Sequence, residues 1–98
     1  MKPTESLNIG RGFVLKNRTL LAAMTNKQSH EDGTLSSEEI DWLTRRAKGD
    51  FAIITTAAAN VTEFGRGWEG EMGVLGDHQL PGLTKMATQL NSSGTISL

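Results

Sequence analysis

Ser36-Ser37-Glu38-Glu39-Ile40-Asp41-Trp42-Leu43-Thr44-Arg45-Arg46-Ala47-Lys48-Gly49 is followed at once by Asp50 and the run Phe51-Ala52-Ile53-Ile54-Thr55. The first part reads as a helix. Ser36, three positions ahead of Glu39, fits a capping box, in which the Ser36 hydroxyl accepts from the Glu39 N–H and the Glu39 carboxylate returns to the N–H of Ser36. Ile40, Leu43 and Ala47 fall on one face at helical spacing, with Glu38, Arg45 and Arg46 largely off it, and Gly49 serves as the stop. This predicts a helix from Ser37 to Lys48. The continuous apolar, β-branched run from Phe51 to Thr55 then has the signature of a central strand in a parallel sheet.

Toward the N-terminus, Thr19-Leu20-Leu21-Ala22-Ala23-Met24 suits a strand buried on both faces, although periodicity alone also admits a helix. Ahead of it, Leu7-Asn8-Ile9 and Phe13-Val14-Leu15 flank Gly10-Arg11-Gly12, which predicts a hairpin because glycine supplies the positive φ of tight turns. The polar stretch from Thr25 to Gly33 is a loop with a turn at Asp32-Gly33. Toward the C-terminus, Ala57 to Gly76 is glycine-rich and without a period, and such long loops are usually functional or disordered. Leu83, Met86, Ala87 and Leu90 repeat at helical spacing behind Pro81, predicting a second helix to about Asn91. Gly94-Thr95-Ile96-Ser97-Leu98 begins a further strand that reads as cut rather than finished.

A hairpin followed by β-α-β-α-β is a right-handed crossover series, hence an α/β chain with a parallel sheet and helices packed outside it. Both β/α barrels and open doubly wound sheets have that order. A dinucleotide fold would carry a glycine-rich phosphate loop after the first strand, and Met24-Thr25-Asn26-Lys27 holds no glycine, which favours the barrel. A complete barrel needs roughly 250 residues. The 98 residues therefore read as an N-terminal fragment of a TIM (β/α)8 barrel, a single incomplete domain over 1–98.

Composition narrows the function classes. Ten Lys and Arg against eleven Asp and Glu leave a formal charge of −1, so no basic surplus exists for nucleic acid or an anionic membrane. With no cysteine there is no disulfide, thiolate metal site or thiol nucleophile, and with no tyrosine no phenol acid. The apolar runs are too short to span a bilayer and the N-terminus has no secretory core, so the expected location is cytoplasmic.

Parallel architectures bind ligands at the C-terminal ends of their strands, here Ala23-Met24-Thr25 and Thr56-Ala57-Ala58-Ala59. Small side chains at both exits leave room for a flat molecule, or merely permit close helix packing. His30-Glu31-Asp32 gathers three potential metal ligands, but neighbours on a loop seldom converge on one ion and His78 is distant in sequence, so no metal is expected. Arg66 between Gly65 and Gly67 is either an anion nest or an arginine tied to a carboxylate. Trp42 reads as partial core, and Trp68 as a cover over the barrel mouth.

Several of these stretches, in order along almost the whole chain, resemble the start of the old yellow enzyme family of flavin oxidoreductases. They are Leu7-Asn8-Ile9-Gly10, Leu15-Lys16-Asn17-Arg18, Ala22-Ala23-Met24-Thr25, Gln28-Ser29-His30-Glu31-Asp32-Gly33, Arg45-Arg46-Ala47-Lys48-Gly49, Gly65-Arg66-Gly67 and Leu80-Pro81-Gly82-Leu83. The resemblance implies an FMN-containing eight-stranded β/α barrel that takes hydride from NADH or NADPH and passes it to an electrophilic small-molecule acceptor, often an activated alkene. Carried over by position, Ala23, Met24 and Thr25 would line the flavin ring and Ala58 would sit near its pyrimidine edge. The Thr25 hydroxyl would donate to the flavin O4 region, where negative charge grows on reduction, and so tune the potential.

The chain departs from the family pattern in Ala22-Ala23-Met24, where the family commonly shows Ala-Pro-Met and so fixes φ. The family's pyrimidine-binding glutamine, the His/Asn or His/His pair that holds the acceptor, the tyrosine acid and the phosphate site have no counterpart here, so no catalytic residue is assigned and the chain alone is expected to be inactive. Two other readings stand beside this one: a non-catalytic module acting through protein–protein binding, and a β/α-barrel enzyme of unrelated chemistry.

Overall fold

In a computed structural model describing residues 1–98, the chain runs through β1 (Leu7–Gly10), β2 (Phe13–Leu15), β3 (Leu20–Leu21), α1 (Ser37–Lys48), β4 (Ile53–Ile54), β5 (Ala59–Asn60), β6 (Met72–Gly73), α2 (Leu80–Asn91) and β7 (Ile96–Ser97). Strands β1 and β2 form the expected antiparallel hairpin. Its turn puts Gly10, Arg11 and Gly12 all at positive φ, which the two glycines make possible. The main sheet has the order β3-β4-β7 with parallel pairing throughout, Leu20 and Leu21 opposite Ile53 and Ile54, and these opposite Ile96 and Ser97.

The central position of β4 follows from its residues. Ile54 is completely buried and joins Leu35, Ile40, Leu43, Ala47, Met72, Met86 and Leu90 in one apolar cluster, so α1 and α2 share a single core against the sheet. Thr44 Oγ1 on α1 donates to Gln89 Oε1 on α2 at 3.0 Å, fixing the two helices side by side. Pro81 sits in the first turn of α2, where its missing N–H costs no hydrogen bond.

Three expectations need correction. Strand β3 comprises only two residues and is not buried on both faces: Leu20 is 51 % exposed, because β3 pairs with β4 on one side and has no strand neighbour on the other. The loop from Ala57 to Gly76 is not wholly irregular, since β5 and β6 pair in parallel within it. Gly49 caps α1 as expected, at φ −76°, and the left-handed residue that follows is Asp50 at φ 79°. Asp50 is held there by Asn17 Nδ2, which donates to its carbonyl at 2.6 Å, and by Lys16 Nζ, 2.8 Å from its carboxylate. Aspartate tolerates this region better than most side chains, and those two contacts offset a strain of about 1 kcal/mol.

The third correction is the capping box, of which only half forms. Ser36 Oγ accepts from the Glu39 N–H at 3.1 Å as expected, but the Glu39 carboxylate does not return to Ser36. It is drawn away to the loop after β3, where two side-chain donors meet it.

Candidate functional site

Strands β3 and β4 run parallel, so their C-terminal ends open at the same side of the sheet. Ala22, Ala23, Met24 and Thr25 follow β3 outside any helix or strand and are exposed, Met24 by 61 %. No main-chain N–H from Ala22 to Lys27 donates within the chain, and the Thr25 hydroxyl has no partner either. On the neighbouring strand, Ala57 is buried while Ala58 and Ala59 are exposed. A cleft of ≈ 210 Å³ lies between the two exits, lined by Ala22, Met24, Thr25, Thr55 and Ala57, with Trp42 of α1 at its side.

Of the four residues assigned to the flavin by resemblance, Met24 and Thr25 therefore line this cleft together. Ala23 and Ala58 are exposed beside it and are not part of the lining. The volume is below the roughly 300 Å³ at which small-molecule pockets begin, so the feature is one wall of a site and not an enclosure. Free main-chain donors, a free hydroxyl and the small Ala22 and Ala57 side chains beside Met24 fit a flat heteroaromatic group with hydrogen-bonding edges, as an isoalloxazine has.

What holds this wall lies underneath it. Glu39, 1 % exposed, accepts from Ser29 Oγ at 2.5 Å and from Asn26 Nδ2 at 3.2 Å. Asn26 Oδ1 accepts from the N–H of Gln28, and the Asn26 carbonyl accepts from Trp68 Nε1 at 2.7 Å. The Ser29 N–H donates to the Gly70 carbonyl at 3.1 Å, and Glu71 Oε2 accepts from the Gly67 N–H at 2.8 Å. The Trp68 indole N–H thus ties the glycine-rich segment to the loop after β3. Sequence reading gave Glu39 to the cap alone and missed Asn26, Ser29 and Gln79.

Gln79, 2 % exposed, accepts from the N–H groups of Leu75 and Gly76 and donates to the Asp32 carbonyl at 3.0 Å. His78 Nε2 lies 3.2 Å from that same carbonyl, so the fold brings together two residues far apart in sequence. The Asp32 carboxyl is held below its ordinary value of 3.8, first by the Thr34 hydroxyl and then by the Thr34 N–H, with His78 and His30 adding weakly. His30, Glu31 and Asp32 do not form a metal-binding cluster, and no group of three or more such side chains converges anywhere in the chain. Arg66 Nε donates to the Trp68 carbonyl at 3.3 Å and Arg66 forms no ion pair within residues 1–98, where the one ion pair joins Lys16 to Asp50. Trp42 is partial core as expected, with the Arg46 guanidinium 3.8 Å above its ring. No helix is long and apolar enough to cross a membrane.

Residues 5–97 match the model of the NADH:flavin oxidoreductase / NADH oxidase family. The chain is 36 % identical over 90 residues to "Probable NADH-dependent flavin oxidoreductase YqiG" of Bacillus subtilis, covering 92 % of this chain and 24 % of that protein. It is 30 % identical over 94 residues to NADH:fumarate oxidoreductase of Klebsiella pneumoniae, covering 96 % of this chain and 10 % of that one. Among solved structures, it superposes on 2-naphthoyl-CoA reductase in complex with 2-naphthoyl-CoA with a TM-score of 0.90 at 32 % identity, over 97 % of this chain and 14 % of that one. The old yellow enzyme homologue of Zymomonas mobilis gives a TM-score of 0.89 at 19 % identity, over 100 % of this chain and 27 % of that one, a likeness of fold. The chain thus spans about a quarter or less of the length of the curated relatives it matches.

Proposed function

Since the chain belongs to the NADH:flavin oxidoreductase / NADH oxidase family, we propose that its 98 residues supply one wall of an FMN site in a β/α barrel completed by further repeats. The carrying observation is the pair of parallel strand exits, where Thr25 keeps an unpartnered hydroxyl and the main chain around it keeps unpartnered N–H groups. FMN bound there would supply hydride transfer, taking it from NADH or NADPH and passing it to an electrophilic small-molecule acceptor such as an activated alkene.

The residues of this chain bind and tune. Ala23 and Ala58 keep the surface flat, and Met24 contributes an adaptable apolar contact. Thr25 offers a neutral donor toward the edge that gains negative charge on reduction. A donor already in place there stabilises the reduced ring without having to reorganise. None of the four residues carries an acid–base role, so proton delivery and acceptor binding fall to residues outside 1–98. The chain by itself is inactive in this reading, and its location is cytoplasmic.

Intact mass and visible absorption of the protein purified natively from its host test the proposal. A species much heavier than 10.6 kDa with a flavin spectrum is the expected result. A colourless 10.6 kDa species would overturn it.

A further inference from the structure

Glu39 is the least explained charge in the molecule. Its carboxylate is buried, it belongs to no ion pair, and the Ser36 N–H at the cap does not donate to it. Burying an ionisable group without a countercharge is costly unless hydrogen bonds replace the lost water. The replacement here is specific: one oxygen takes the Ser29 hydroxyl and the other the Asn26 amide, while the first turn of α1 places the carboxylate near the positive end of the helix dipole.

Both donors belong to the segment immediately after Thr25, and that segment has little else to hold it. From Ala22 to Lys27 no main-chain N–H is used, so no β-ladder or turn fixes the backbone there. The remaining anchors are the Trp68 indole on the Asn26 carbonyl and the Ser29 N–H on Gly70. Glu39 thus stands where the loop would otherwise be free to move away from α1.

We propose that Glu39 is a positioning residue for the exit of β3: through Asn26 and Ser29 its carboxylate fixes the segment from Thr25 to Ser29, and so sets where Thr25 is presented. The consequence for the cofactor rests on the FMN reading above; the clamp itself does not.

Hydrogen–deuterium exchange on the natively purified protein, with substitutions made in its own gene, tests the clamp. Glu39→Ala should raise exchange at the Gln28 and Ser29 amides by at least roughly tenfold, while the Leu43 and Ala47 amides in α1 stay within about threefold, because local opening and global unfolding expose different amides. Glu39→Gln should restore most of the protection, since its amide can accept from Asn26 and donate to the Ser29 hydroxyl. Ser29→Ala, which leaves the helix untouched, should give a smaller rise confined to the same amides. A uniform rise through α1 and the loop, or no rise in Glu39→Ala and Ser29→Ala, would overturn the proposal.

The flavin midpoint potential reads the consequence separately. Glu39→Ala should shift it in the same direction as Thr25→Ala, Glu39→Gln should bring it back, and the double variant should shift no further than Thr25→Ala alone. Additive shifts would refute the action through Thr25. A native protein without flavin would refute the FMN reading, leaving the exchange pattern to decide on Glu39.

Discussion

Replacing Asn17 by alanine should cost about 2–3 kcal/mol of folding free energy, although the residue lies at the opposite end of the sheet from the candidate site. Asn17 is only 8 % exposed and makes three hydrogen bonds: Nδ2 donates to the Asp50 carbonyl at 2.6 Å, and Oδ1 accepts from the Thr19 N–H at 3.0 Å and the Thr19 hydroxyl at 2.7 Å. It therefore ties the entry of β3 to the turn that feeds β4, and it supports the left-handed backbone of Asp50. At about 1 kcal/mol for each hydrogen bond the loss sums to about 3 kcal/mol. Water reaches Asp50 and part of Thr19 in the variant, which lowers the figure toward about 2 kcal/mol. Urea denaturation of the natively purified protein, followed by circular dichroism with an unchanged m-value, measures this. Asn17→Asp is the control. It keeps both Thr19 bonds but loses the donor to Asp50 and sets a carboxylate near that of Asp50, so its cost should shrink as salt screens the repulsion. A loss below about 1 kcal/mol for Asn17→Ala, or a salt-independent cost for Asn17→Asp, would refute the assignment of Asn17 as the tie between these segments.

Two further outcomes follow from the same structure. In flavin-loaded protein, Thr25→Ala should lower the midpoint potential by about 30–60 mV, because a hydrogen bond to a charged group contributes about 1.5–3 kcal/mol and about 30 mV corresponds to 1.4 kcal/mol for a two-electron couple; spectroelectrochemistry giving an unchanged potential would remove the residue from that role. Asp32 titrates below 3.8 in the folded chain, so its contribution to stability is present above that pH and is lost as pH falls through the lowered folded value. Thr34→Val removes the hydroxyl that is the largest cause and should raise the Asp32 midpoint in an NMR titration; an unmoved midpoint would show that the Thr34 hydroxyl is not what lowers it.

Local patterns in the sequence carry the elements. The bounds of α1 follow from a cap at Ser36 and the face formed by Ile40, Leu43 and Ala47. The central place of β4 follows from an uninterrupted apolar run, and the hairpin from two glycines around Arg11. The order of these elements along the chain already implies the right-handed parallel arrangement. The place of Met24 and Thr25 at the exit of a parallel strand was also within reach of sequence reading, because they directly follow the apolar run that forms β3.

Partnerships across the fold were not within reach. The Glu39 carboxylate could satisfy the capping box or any donor near its first turn, and which it takes depends on where the loop from Asn26 to Ser29 is carried by β3. Trp68 finds a carbonyl 42 residues away, and Gln79 one 47 residues away, across separations no local pattern spans. The pairing of β5 with β6 joins two residues on each side of an eleven-residue interval, too short to leave a strand period. Sequence by itself determined what each segment becomes, since cap, period and β-branching act over a few residues. Only the tertiary structure decided which buried polar group meets which, since a hydrogen bond depends on distance in space and the chain must first bring its distant segments together.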